Sequence, residues 1–134
     1  MTSAFKRGLG LGVLCGGLVA LPLGALAADA STEIMTAATH AGFAAKSGTV
    51  QMVHTHLHHT LNCLVGPGGN GFDTTALNPC KNSGNGAIPD TSDMVKKRAL
   101  EDVATKARNA LMVPDLVTAQ KNAAAIETEL KTLK

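Results

Sequence analysis

The segment from Thr49 to Val65 has the periodicity of an amphipathic helix, which restricts the chain to folds that bury one helical face. At about 100° per residue, its apolar side chains fall within one sector. These side chains are Val50, Val53, Leu57, Leu61, Leu64 and Val65. The alanine-rich segment 31–47 comes before it and ends at Ser47-Gly48, where glycine suits the left-handed conformation that closes a helix. The sequence therefore predicts a helical hairpin over residues 31–65.

A second hairpin is predicted in the C-terminal half. Thr91 or Ser92 suits the N-cap of a helix that runs to about residue 112, and Pro114 with Asp115 suits the start of another that runs to about residue 132. Between the hairpins, the segment 66–90 is dense in Gly, Asn and Pro and is predicted to be a long loop without helix. The predicted fold class is therefore all-α, a four-helix bundle made of two antiparallel hairpins.

The first 27 residues have the pattern of a secretory signal peptide, with a basic start, an apolar stretch and a small-residue cleavage site. These features are Lys6 and Arg7, Leu9 to Leu23, and Ala25-Leu26-Ala27. Cleavage is expected before Ala28, or else near Ala30-Ser31, and Cys15 would leave with the signal. Removal of 27 residues from 134 leaves 107, the size of a single domain. The predicted location is the periplasm or the extracellular space, with no membrane segment after cleavage.

Two cysteines remain in the expected mature chain: Cys63 at the end of the second predicted helix and Cys80 in the loop. In an oxidising compartment the simplest prediction is a disulfide, which would clamp a loop of about 18 residues and contribute roughly 3 kcal/mol by the chain-entropy argument. The alternative keeps Cys63 as a thiolate ligand beside His56 and His59. In that case Met52, one turn earlier, would add a soft thioether suited to Cu(I).

All five histidines lie between His40 and His59. His54 and His58, spaced i and i+4, lie together on one flank of the apolar sector, close enough to share a divalent metal ion. The hairpin should bring His40 level with them, so His40 is the expected third ligand. His56 and His59 lie on roughly the opposite side of the helix and would form at most a weaker second site.

One stretch of this chain resembles the small histidine-rich periplasmic metal-binding proteins. The stretch reads H-A-x-x-A-A-x-x-G-x(5)-H-x(3)-H, formed by His40-Ala41, Ala44-Ala45, Gly48, His54 and His58. The resemblance covers about residues 36–64, one repeat of a unit that the family repeats several times. It implies an exported, monomeric helical bundle that takes up copper and other divalent metals. The second hairpin has no histidine, so the implied capacity is one or two sites.

Composition narrows the other function classes. The expected mature chain has ten basic and ten acidic residues, which argues against binding to nucleic acid or to acidic membrane surfaces. The histidine helix has no Asp or Glu, and the Glu-x-x-His motif of di-iron bundles is absent, so no enzymatic activity is predicted.

The leading prediction is a protein that sequesters or carries copper or another divalent metal such as zinc or nickel. One alternative is a b-type haem held between His40 and either His54 or His58, although three Phe and no Trp or Tyr leave little to sandwich a porphyrin. The other alternative is a helical interaction protein without catalytic activity. The sequence does not identify a protein partner.

Overall fold

The computed structural model describes residues 30–134, so the predicted signal peptide lies outside the described residues. Those residues form five helices and no strand. The helices are α1 (Ala30–Ala45), α2 (Val50–Val65), α3 (Ala87–Asp90), α4 (Met94–Ala110) and α5 (Leu116–Thr132). The predicted all-α class is confirmed for this part of the chain. None of these helices is long and apolar enough to cross a membrane.

Side-chain caps begin three of the long helices. The Thr49 hydroxyl accepts a hydrogen bond from the Met52 N–H at 3.2 Å and caps α2, and Asp115 caps α5 in the same way. The cap of α4 is Asp93, whose carboxylate accepts from the backbone N–H groups of Val95 and Lys96. The prediction of Thr91 or Ser92 at this position is wrong. The Thr91 hydroxyl donates to the Ala87 carbonyl instead and is used to end α3.

Antiparallel contacts connect the long helices. Between α1 and α2, the hydroxyl of Thr60 donates to the carbonyl of Ala37. Just beyond the C-terminal end of α1, the carbonyl of Ser47 accepts a hydrogen bond from the side-chain amide of Gln120 in α5. Lys106 of α4 forms an ion pair of 2.7 Å with Glu129 of α5. Helix α1 therefore packs between α2 and α5, and α4 packs against the same two helices from the other side.

The core combines small residues with large aliphatic ones. Helix α1 contributes mainly alanines, all fully buried at Ala37, Ala41 and Ala44. Helices α2, α4 and α5 contribute most of the branched side chains, including Leu57, Leu61, Leu64, Leu100, Val103, Ile126 and Leu130. Because an alanine side chain is short, the backbone of α1 can approach its neighbours closely at native packing density. The apolar side chains that predicted the helical face of α2, such as Leu57, Leu61 and Leu64, are thus the ones that the structure buries.

The predicted disulfide between Cys63 and Cys80 is present, with the two Cα atoms 5.1 Å apart. It fastens the loop to the end of α2. The buried side chain of Asn62 adds a second attachment, because it donates to the carbonyls of Asp73 and Leu77 and accepts from the N–H of Asp73. The disulfide and these three hydrogen bonds of Asn62 therefore hold the polar loop to the end of α2.

Glycines allow the two ends of this loop to meet. Gly66 (φ 66°) and Gly86 (φ 115°) both take conformations that other residues avoid, and a Cβ on Gly86 would overlap the backbone of Gly66. The N–H of Gly86 also donates to the fully buried carboxylate of Glu33 at 2.9 Å. The next residues form α3, a single turn, so the prediction that the whole of 66–90 lacks helix is wrong at its end.

Gly48 does not take the left-handed conformation expected from the sequence. Helix α1 instead ends in a tight turn, in which the N–H of Lys46 donates to the carbonyl of Phe43. The Ser47 hydroxyl donates to the same carbonyl, and no atom lies within 4 Å of a Cβ placed on Gly48.

These two glycine environments predict opposite effects of alanine. Gly86→Ala should lower the free energy of unfolding by more than about 1 kcal/mol, because it combines a positive φ with a steric overlap. Gly48→Ala should leave it unchanged or raise it by up to about 1 kcal/mol, since it only restricts the unfolded chain. Urea unfolding followed by far-ultraviolet circular dichroism measures both. Equal effects of the two substitutions would contradict the close approach at Gly86.

Candidate metal centre

Three histidines from two helices meet where α1 packs on α2. The ring centroid of His40, from α1, lies 5.7 Å from that of His56 and 5.0 Å from that of His59, both in α2. The rings of His56 and His59 are 5.5 Å apart. The spacing i and i+3 places the latter two side by side on one face of the helix. We call His40, His56 and His59 the histidine triad.

The nitrogens of the triad are close enough to bind one ion. One ring nitrogen from each histidine lies within 4.8 Å of the other two, and Nδ1 of His40 is 3.4 Å from Nδ1 of His56. With metal–nitrogen bonds of about 2.0–2.1 Å, two nitrogens in a tetrahedral site lie roughly 3.4 Å apart. The His40–His56 pair already has this separation, and the nitrogen of His59, within 4.8 Å of both, would complete a group of three around one ion.

Partial burial favours the neutral form of two triad members, His40 and His59. Burial, followed by the neighbouring rings of His59 and His56, lowers the pKa of His40 from 6.5 to about 4. Burial and then the rings of His56 and His58 lower the pKa of His59 as well. A neutral imidazole has a free lone pair, the form that binds a metal. Nδ1 of His59 is shielded from solvent and has no hydrogen-bond partner among the described residues, which is unusual for a buried polar atom and is explained if it binds an ion.

An aromatic side chain, Phe43, borders the triad. Its ring lies 5.5 Å from the rings of both His40 and His56, edge-on to the first. The sequence reasoning did not identify Phe43 as part of the site. Its spacing of i and i+3 from His40 on an amphipathic helix was the available signal, since such pairs share a helix face.

The other two candidate ligands, His54 and His58, lie on the opposite flank of α2. The Nε2–H of His54 donates to the carbonyl of Val113 at 3.0 Å, next to the α4–α5 turn. Nδ1 of His58 lies 3.2 Å from a carboxylate oxygen of Asp73 in the loop. The structure therefore brings His40 together with His56 and His59, whereas the sequence reasoning paired it with His54 and His58.

The reason for this difference is the position of α1 around α2. The apolar sector of α2 has two flanks: α1 contacts the flank near His56 and His59, and the α4–α5 turn contacts the one near His54. The sequence correctly placed His40 level with the cluster, but the choice of flank depends on how the second hairpin packs. The alternative in which Cys63 serves as a thiolate ligand is wrong for this structure, because its sulfur is bonded to that of Cys80.

No protein-family model, curated protein or solved structure matches this chain. The interpretation of the site therefore depends on its own geometry and chemistry.

The lowered pKa of His40 predicts a pH-dependent stability for the metal-free protein. Between pH 6.5 and about 4, the unfolded chain binds a proton at His40 that the folded protein does not, so the free energy of unfolding should fall as the pH decreases through this window. Above pH 6.5 both states are neutral at this residue and the effect disappears. His59, with its pKa shifted in the same direction, should add to it.

Urea unfolding at pH 7.5 and pH 5 in the presence of a chelator measures this loss of stability. The variant His40→Gln cannot titrate at this position and should lose less stability between the two pH values than wild type. His54→Gln, on the opposite flank of α2, is the matched control and should behave more like wild type. An identical loss in wild type and His40→Gln would show that the burial of His40 does not oppose its protonation.

Proposed function

We propose that this protein is an exported carrier or scavenger that binds a transition-metal ion at the histidine triad. The observation that supports this proposal most is the convergence of three imidazoles, from two helices, whose ring nitrogens lie within 4.8 Å of one another, close enough to surround one ion. A chance group of surface histidines would lie in water at separate positions. In this protein, helix packing holds the rings in place before an ion arrives, which lowers the ordering entropy that binding must overcome.

The chemistry of the triad favours binding over catalysis. Among the described residues, no Asp, Glu or Cys joins the group of possible ligands. A catalytic metal site commonly includes a carboxylate ligand or a nearby acid or base, and the triad has neither among its ligands. Imidazoles suit copper, nickel and zinc, and the general affinity order of divalent ions places copper first. We therefore propose copper as the cargo and no enzymatic role.

The geometry also favours an ion over a haem. A b-type haem needs a flat slot between two histidines that approach it from opposite faces. The ring centroids of the triad are instead 5.0–5.7 Å from one another, and each ring contacts the other two. Such mutual contact leaves no slot for a porphyrin among the three rings.

The resemblance to histidine-rich periplasmic metal-binding proteins supports a proposal for the fold and the location of the whole protein. We propose that the four long helices form an antiparallel four-helix bundle and that the segment 1–27 directs export. The alanine repeat around His40 would then serve to bring its ring against the second helix, as the family's histidine-bearing hairpins imply. Under this proposal the protein acts as a monomer with one main metal site.

Calorimetric titration with Cu(II) and Zn(II) tests the site by comparing two matched double variants. His56→Ala with His59→Ala should abolish tight binding, because only His40 of the triad remains. His54→Ala with His58→Ala removes the same number of imidazoles from the same helix and should retain it. Wild type should also gain about 2.7 kcal/mol of unfolding free energy at a free metal concentration of roughly 100 times Kd.

Two outcomes would contradict the proposal. If the first double variant keeps the tight site and the second loses it, the ligands are on the flank of His54 and His58. If wild type binds neither ion more tightly than the first double variant does, the triad is not a metal site. An absorption spectrum of the purified protein adds an independent test, since a Soret band would indicate haem.

A further inference from the structure

The triad supplies three nitrogen ligands, and a tetrahedral ion has room for a fourth. We infer that the thioether of Met52 takes this position and that the site is thereby suited to Cu(I). This inference deepens the proposed function and depends on it. It is carried by the position of Met52 on α2, by the exposure of its side chain and by the absence of a carboxylate or thiolate from the possible ligands of the triad among the described residues.

Met52 shares the helix face of the two α2 ligands. It lies four residues before His56 and seven before His59, so at about 100° per residue the three side chains fall within a sector of roughly 60°. Helical side chains lean toward the N-terminus, so the ring of His56 lies over the turn that contains Met52, and the Met52 side chain has to extend toward the C-terminus to meet it. The N–H of Met52 is bonded to the Thr49 cap, so this turn is a formed part of the helix.

The side chain of Met52 is also accessible to a metal ion, because it is not used in the core. Its exposed fraction is 46%, and it does not belong to the buried core, whereas its neighbour Val53 is fully buried. The unbranched side chain of Met52, with three rotatable bonds, has the length and the freedom to take a rotamer that extends toward the triad. Phe43, itself 48% exposed, lies against His40 and His56 and forms an apolar border to the site.

The charge of the site favours a monovalent ion. Three imidazoles and a thioether carry no charge, so bound Cu(I) leaves one positive charge in a partly buried place, and Cu(II) or Zn(II) leaves two. The Born cost of moving a charge into a medium of low dielectric constant rises with its square, about fourfold for the divalent ions. A thioether is a soft ligand that selects Cu(I), whereas Zn(II) is satisfied by the imidazoles and water.

The test uses Cu(I) under anaerobic conditions, competed against a chromophoric Cu(I) chelator, with Zn(II) titrated in parallel. Met52→Leu retains the apolar volume but removes the sulfur. Loss of a residue outside the ligand set already weakens metal binding by about 10–100-fold, so loss of a ligand should weaken Cu(I) binding at least about tenfold. Zn(II) binding should stay unchanged. Met35→Leu is the matched control, because Met35 is similarly exposed on α1 but lines the groove toward α5.

The methyl resonances of ¹³C-labelled methionine give a direct readout. Addition of Cu(I) should shift the signal of Met52 and leave those of Met35, Met94 and Met112 in place.

The outcomes separate this inference from the proposed function. If Cu(I) binding depends on His56 and His59 but Met52→Leu binds as wild type does and the methyl signal does not move, the metal site stands and the role of Met52 is overturned. If Met52→Leu weakens Cu(I) and Zn(II) equally, Met52 only supports the fold of the site and the inference is also overturned. If the unmodified protein binds neither ion tightly, the proposed function fails together with the inference.

Discussion

The close packing of α1 against α2 is the contact on which the rest of the structure depends. Alanines at positions 37, 41 and 44 of α1 are fully buried, and their small size lets the helix backbones approach. The Thr60 hydroxyl lies between the carbonyls of Ala37 in α1 and His56 in α2, at 3.2 and 3.0 Å, and marks the register of the two helices. With that register, His40 stands opposite His56 and His59. A larger side chain in the alanine face would separate the helices and the imidazoles together.

The same packing places the triad in a partly dry environment, which has two opposite effects. Burial lowers the pKa of His40, so that protons compete poorly with a metal for its nitrogen. It also leaves Nδ1 of His59 without a hydrogen-bond partner among the described residues, a state that costs stability in the metal-free protein. A bound ion would satisfy this nitrogen. Under the proposed function, the metal-free protein is therefore less stable at this site than the protein with a bound ion.

The loop between the two hairpins supports the other end of α2. The Cys63–Cys80 disulfide, the Asn62 amide and the buried Glu33 carboxylate each connect it to the helical core. Close approach of Gly66 and Gly86 brings its two ends together. Asp73 of this loop lies beside His58, which gives that histidine a partner away from the triad. The five histidines are therefore divided between a group that converges on one space and two residues that contact the loop and the α4–α5 turn.

Much of the fold followed from local rules. Apolar periodicity predicted four helices to within a few residues, because each helix buries one face whatever its partners are, and Asp115 was recognised as the start of α5. The Cys63–Cys80 pairing followed because the expected mature chain has only these two cysteines. Local propensity did not predict the cap at Asp93 or the single turn of α3, since both depend on hydrogen bonds that compete over a few residues.

The residues of the candidate metal site could be predicted only in part from local sequence patterns. The sequence by itself determined that the histidines lie on one helical hairpin, that His40 is level with the others, and that they form two groups on α2. Only the tertiary structure decided which group faces α1, because both flanks of the apolar sector are equally able to receive a neighbouring helix. In the structure, the α4–α5 turn lies against His54, whereas α1 lies against His56 and His59. The packing of the helices around one core therefore decides which histidines form the triad.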